Sequence, residues 1–126
     1  SEAIRICMEE GVPMEQITMS SDGNGSMSVP LPDGGAKLLV TRLSSLHEEV
    51  RDAVKAGVPV EKAIRICGEN PARANGLFSK KGCIRPGSDA DLVILDEEFL
   101  VDTVFARGQK MVEYGKALVK GTFETD

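Results

Sequence analysis

Apolar and polar positions recur along this chain with two different periods, and the change from one to the other divides it. Ala3, Ile4, Cys7 and Met8 fall at i, i+1, i+4 and i+5, one face of a helix that Gly11 stops. Leu43, Leu46, Val50, Ala53 and Val54 recur at helical spacing and predict an amphipathic helix. Ser44 or Ser45 is placed to cap it and Gly57 to end it. Val60–Cys67 predicts a second short helix closed by Gly68, and Asn70-Pro71 opens a third that stops near Gly76. From Gly82 the texture changes to short apolar or alternating runs at 91–95, 101–106, 110–114 and 117–119. Gly108, Gly115 and Gly121 separate them at turn-like intervals. A small β unit therefore follows the helices, with the boundary near residues 80–82 and expected domains of 1–81 and 82–126.

Between the first two helices the pattern is of another kind. Ile17, Thr18 and Met19 predict a short buried strand, since β-branched and apolar residues suit a covered, pleated surface. Ser20-Ser21-Asp22 follows, and Gly23-Asn24-Gly25-Ser26 then breaks any regular continuation. Helix, short loop and strand ending in a polar residue form the rhythm of a repeating βα fold. A carboxylate at the carboxyl end of a buried strand stands where active-site groups sit in such folds. Residues 27–35, with two prolines and the Gly34-Gly35 pair, predict an extended surface loop. Ala-Ile-Arg-Ile-Cys occurs at 3–7 and again at 63–67, and Gly-Val-Pro at 11 and 57. The order of the two strings reverses between copies, which argues against a solenoid.

Composition narrows the class. The 126 residues are 41% hydrophobic and 28% charged, which fits one globular domain and excludes disorder. The net charge of −5, with Lys and Arg scattered, argues against nucleic-acid partners and anionic membranes. Cys7, Cys67 and Cys83 are odd in number and form no C-x-x-C, which points to buried free thiols in a reducing cytoplasm. No apolar run approaches the roughly 20 residues of a membrane helix, and no signal-peptide pattern is visible.

Asp22 is the leading candidate for chemistry, and an ordinary turn aspartate is the plain alternative. Asp22, Asn24 and Ser26 have the opening spacing of a calcium loop, but Met27 stands where that loop requires glycine. His47 is the single histidine and lies among charged residues of the second helix, so neither a zinc site nor a Ser-His-Asp triad can be built on it. Gly23-x-Gly25 lacks the third glycine of a dinucleotide loop, and no P-loop lysine follows. Pro86-Gly87-Ser88-Asp89-Ala90-Asp91 reads as a structural turn feeding a strand.

Two of these stretches together resemble a known family. Residues 17–26, Ile-Thr-Met-Ser-Ser-Asp-Gly-Asn-Gly-Ser, resemble the end of the last barrel strand in bacterial isoaspartyl dipeptidases, members of the metal-dependent amidohydrolase superfamily. Residues 86–93 are similar to that superfamily's return into its small β-sandwich, and residues 115–124 to the dipeptidase C-terminus. The resemblance implies an α/β fold: the C-terminal part of a (β/α)8 hydrolase barrel followed by β-sandwich strands. It implies a binuclear zinc centre, a small dipeptide substrate and a homo-oligomer. Asp22 matches the aspartate that touches one metal and carries a proton from the nucleophilic water to the leaving amine. Ser26 matches a serine that hydrogen-bonds the dipeptide. The sequence departs from the family in having no His-x-His, no second histidine and no recognisable metal-binding lysine strand. With a start at Ser1 inside a helical pattern, the expectation is an inactive C-terminal fragment of such an enzyme. The alternative is a β-sandwich binding or assembly module without chemistry. The apolar strand at 17–19, left without neighbours, would also invite association.

Overall fold

A computed structural model of the chain describes residues 2–121. The chain divides into two compact units, Ser1–Pro71 and Ala72–Asp126.

In the first unit, α1 (Glu2–Glu9), α2 (Ser45–Lys55) and α3 (Val60–Cys67) enclose one apolar cluster. Ile4, Met14, Val50, Ala53, Val58, Ala63 and Ile66 are buried there, with Ala53, Ala63 and Ile66 wholly inaccessible. The two Gly-Val-Pro strings are one helix-stopping device used twice. After α1, Gly11 (φ +74) donates to Met8 O at 3.3 Å and Val12 to Cys7 O at 2.9 Å. After α2, Gly57 (φ +97) donates to Val54 O at 3.0 Å and Val58 to Ala53 O at 3.0 Å. Both are Schellman closures, in which a glycine takes the left-handed conformation and two orphan carbonyls are satisfied. Each proline then opens the next turn: Gln16 donates to Pro13 O and Lys62 to Pro59 O, both at 3.0 Å. The serine cap expected for α2 is not used as such. Ser44 occupies the cap position without a side-chain bond, and Ser45 Oγ donates instead to Arg42 O at 2.7 Å.

Two expectations are corrected here. Residues 27–35 are not loop throughout: 27–30 belong to β1 (Ser26–Pro30), which pairs antiparallel with β2 (Ala36–Val40) in register from Ser26↔Val40 to Pro30↔Ala36, and only residues 31–35 form the exposed connection. Pro30 is tolerated because it ends its strand, and Gly34 (φ +83) turns the chain so that Leu31 N donates to Gly35 O at 2.8 Å. Conversely, residues 17–19 form no strand. Ile17 has extended dihedrals (φ −94, ψ 131), but a strand needs a ladder, and none pairs with this segment among the described residues.

The second unit takes over from α4 (Glu69–Ala74) and is built on an antiparallel meander. It comprises β3 (Leu92–Leu95), β4 (Val101–Ala106), β5 (Gln109–Glu113) and β6 (Lys116–Ala117), in that spatial order. Arg107-Gly108 and Tyr114-Gly115 join neighbours as two-residue loops, each with both residues at positive φ, the type I′ geometry that matches strand twist. Residues 122–124 of the tail motif lie outside the described residues. The three cysteines are free and half-buried rather than enclosed. No described helix is long and apolar enough to cross a membrane.

Candidate active-site loop

The approach to Asp22 is fixed by hydrogen bonds from buried positions. Asn70, 3% exposed, donates through Nδ2 to Met14 O at 2.8 Å and Ile17 O at 2.7 Å. Met19 N donates to Ile66 O at 3.0 Å, tying the extended segment to α3. A buried amide with both donors used is a strong local latch, since losing either bond leaves a polar group unsatisfied. Nothing in the sequence distinguishes Asn70 from an ordinary helix-start asparagine, so this role was not legible there.

Beyond Met19 the chain turns sharply. Asp22 (φ +47) and Asn24 (φ +64) both lie in the left-handed region, where aspartate and asparagine are the best tolerated non-glycine residues. Gly25 N donates to Asp22 O at 2.8 Å and closes the turn. Asp22 N and Gly23 N donate to the hydroxyls of Ser20 and Ser21, each at 3.2 Å. Thr41, just past β2, holds the other side. Its N–H donates to Gly25 O at 3.0 Å, its C=O accepts from Asn24 N at 3.1 Å, and its hydroxyl reaches both Gly25 O at 3.0 Å and Asp22 O.

The two glycines make this packing possible. A Cβ at Gly25 would stand 2.6 Å from the Asp22 carboxyl carbon and 2.7 Å from Asp22 O. A Cβ at Gly23 would meet the Leu43 side chain, with Cγ at 3.0 Å. The Asp22 carboxylate thus lies back over Gly25. It is exposed, and no described residue hydrogen-bonds it. Ser26, also exposed, is the first residue of β1, so both predicted site residues share one turn.

The other candidates are placed elsewhere. Asp89 and Asp91 are consumed by structure: Lys81 pairs with Asp89 at 2.9 Å and also with Asp91, whose second oxygen accepts Arg107 N at 2.7 Å. His47 is half-buried on α2. Burial pushes the Cys67 thiol pKa up, which disfavours the nucleophilic thiolate. Among the described residues no three His, Cys, Asp or Glu side chains come together to hold a metal. Asp22 offers one free oxygen ligand where a zinc site takes three or four protein ligands. Among the described residues Asp22 is therefore a single potential ligand with no group of three around it.

A family profile described as the amidohydrolase family matches residues 1–117. The chain belongs to the amidohydrolase family. Its architecture accords with part of the family's TIM-barrel hydrolase domain followed by a β-sandwich region. The β-aspartyl dipeptidase of Fervidobacterium islandicum AW-1, solved in complex with β-Asp-Leu, is similar over 98% of this chain, with a TM-score of 0.79 and 31% identity. An adenine deaminase of Clostridium perfringens is 36% identical over 81 residues, 63% of this chain. A D-hydantoinase of Streptomyces coelicolor is 42% identical over 55 residues, 44% of this chain. The chain spans 32% of the dipeptidase, 14% of the deaminase and 11% of the hydantoinase. The relatives are thus hydrolases of more than one substrate class.

Proposed function

We propose that these residues belong to a metal-dependent dipeptidase that hydrolyses β-aspartyl dipeptides, with Asp22 transferring the proton and Ser26 contacting the substrate. The observation that carries this reading is the Asp22 loop, whose backbone is fastened on both sides while the carboxylate is left exposed and unbonded. The likeness to a β-aspartyl dipeptidase over 98% of the chain supports the substrate class.

Amide hydrolysis requires that water lose a proton and that the leaving nitrogen gain one. Asp22 accepts the first at a carboxylate oxygen and returns it to the amine, acting as base and then acid. The Ser26 hydroxyl, at the start of β1, is a hydrogen-bonding group for the dipeptide's polar end. Zinc, when bound, supplies water whose pKa is lowered to about 7. Asp22 would be one of its ligands, and the reading places the others outside these 126 residues. A cytoplasmic, homo-oligomeric whole protein and an inactive isolated chain belong to the same proposal.

The test has two parts. The purified 126-residue chain, supplied with zinc, is expected to release no leucine from β-Asp-Leu; release above the enzyme-free rate would show that it holds a complete site. The protein expressed from its complete reading frame is expected to hydrolyse β-Asp-Leu and to lose that activity on Asp22→Asn. The 36% identity to an adenine deaminase favours a second reading. Ammonia release from adenine, with β-Asp-Leu left intact, would replace the dipeptidase by that reading. Hydrolysis of neither substrate would favour the non-catalytic module.

A further inference from the structure

We infer that Thr41 is a positioning residue for the Asp22 carboxylate and that, through it, the β1–β2 hairpin sets where the proton-transfer group stands. The inference rests on the reading of Asp22 given above.

Three polar groups of Thr41 are directed at the turn that carries Asp22. Just past the Ser26↔Val40 pair, its backbone N–H donates to Gly25 O at 3.0 Å and its C=O accepts from Asn24 N at 3.1 Å. The hydroxyl adds a side-chain donor to these backbone bonds. Its one proton is shared between Asp22 O and Gly25 O, the first and last carbonyls of the turn. Asp22 is held at φ +47, outside the region an aspartate prefers by default. A donor on Asp22 O fixes the orientation of the peptide that follows Asp22. The Asp22 carboxylate lies against Gly25, so a shift of the backbone at Asp22 moves the carboxylate relative to that surface.

The rest of the loop offers no equivalent. Ser20 and Ser21 accept from Asp22 N and Gly23 N and so hold the incoming side of the turn, while among the described residues Thr41 holds its outgoing carbonyls from outside the turn. The catalytic group is therefore supported from a residue 19 positions later in the chain. A misplacement on the order of 1 Å at a reacting group costs about a hundredfold in rate.

Thr41→Val removes the hydroxyl and keeps shape and backbone, and Thr41→Ser restores the donor. In the protein expressed from its complete reading frame, Thr41→Val is expected to lower kcat for β-Asp-Leu by about ten- to a hundredfold at nearly constant KM, and Thr41→Ser to recover most of it. A second substrate separates positioning from a general loss of folded protein. The β-aspartyl amide of p-nitroaniline has a weakly basic leaving amine that depends less on a proton from Asp22, so Thr41→Val should slow its hydrolysis much less. Misfolding would slow both substrates by one factor. Equal losses on both substrates, or no loss on either, would overturn the role assigned to Thr41 while Asp22→Asn remained inactive. Activity retained by Asp22→Asn would instead remove the reading beneath it. In the 126-residue chain, hydrogen exchange at the Asn24 and Gly25 amides should quicken in Thr41→Val and return to its original rate in Thr41→Ser. Unchanged exchange would also count against the clamp.

Discussion

Asp22 and Asp91 both lie in turns rich in glycine and small residues, and the two are bonded in opposite ways. At Asp22 the backbone is held by Gly25, Ser20 and Thr41, and the carboxylate is bonded by no described residue. At Asp91 the side chain is the structural element, with one oxygen on the Lys81 ammonium and the other on the Arg107 amide at 2.7 Å. The ammonium also takes Asp89, so one lysine fastens the turn before β3, and Gly108 N donating to Ala90 O at 2.9 Å completes the join to the β4–β5 loop. A carboxylate whose lone pairs are already engaged by its own fold has little left for a substrate. One held by its backbone alone keeps them. Sequence motifs rich in Asp, Gly and Ser do not reveal this difference; the bonding does.

The sharpest way to break the comparison is to neutralise each aspartate in turn. In the complete protein, Asp22→Asn is expected to reduce kcat/KM for β-Asp-Leu by about a hundred- to ten-thousandfold, the usual worth of a general acid–base group, with little change in melting temperature. Asp91→Asn is expected to lower the melting temperature and leave kcat per folded molecule close to the parent value. Steady-state kinetics beside calorimetry on both variants decides it. An Asp91→Asn variant that melts normally but loses activity would reverse the assignment.

Much of this arrangement was legible in the pattern of residues, and the misses share a cause. The helices over 45–55 and 60–67 and the meander from residue 92 follow from local periodicity and from glycines at the turns. The segment at 17–19 has the composition of a strand but lacks a partner, and pairing is not a local property. The hairpin over 26–40 was hidden because Pro30, Pro32 and Gly34-Gly35 outweigh the alternation around them. The repeated Ala-Ile-Arg-Ile-Cys string shows the limit most plainly. α1 buries its first isoleucine, Ile4, and exposes Ile6, whereas α3 exposes Ile64 and buries Ile66. The same five residues present opposite isoleucines because their neighbours differ. For the candidate site, Asp22 was singled out by its place after an apolar segment and Ser26 only by the family resemblance, whereas Thr41 and Asn70 act through long-range bonds that no spacing encodes.

A smaller effect is expected at Gly25. Alanine there brings a methyl group within 2.6 Å of the Asp22 carboxyl carbon and 2.7 Å of Asp22 O, so both backbone and carboxylate must move. Gly25→Ala should lower kcat by about tenfold or more, with a modest loss of stability. Gly76→Ala meets nothing within 4 Å but must hold φ +68, so its cost should fall on stability alone, on the order of 1 kcal/mol. Equal kinetic losses in the two variants would mean that Gly25 matters for flexibility and not for the space under Asp22.

The smallest effect distinguishes the Asp91 side of the comparison by pH. The Lys81 ammonium, first, and the Arg107 amide, second, hold the Asp91 carboxyl below its ordinary value of 3.8. A carboxylate with a lowered pKa in the folded state binds its proton more readily when unfolded. Its contribution is therefore complete above the unfolded value and is lost as the pH falls through the folded one. Lys81 mirrors this: its bonds to Asp91 and Asp89 raise it above 10.5, so its contribution is present below that value and fades as the pH climbs past it. The pair is solvent-exposed, which keeps the effect small and sensitive to salt. The gap in melting temperature between the parent and Asp91→Asn should be constant near neutrality and narrow below about pH 4, and added salt should shrink it throughout. A gap that persisted unchanged to pH 2 would mean that Asp91 acts by shape and not by charge, and the contrast with Asp22 would then rest on geometry alone.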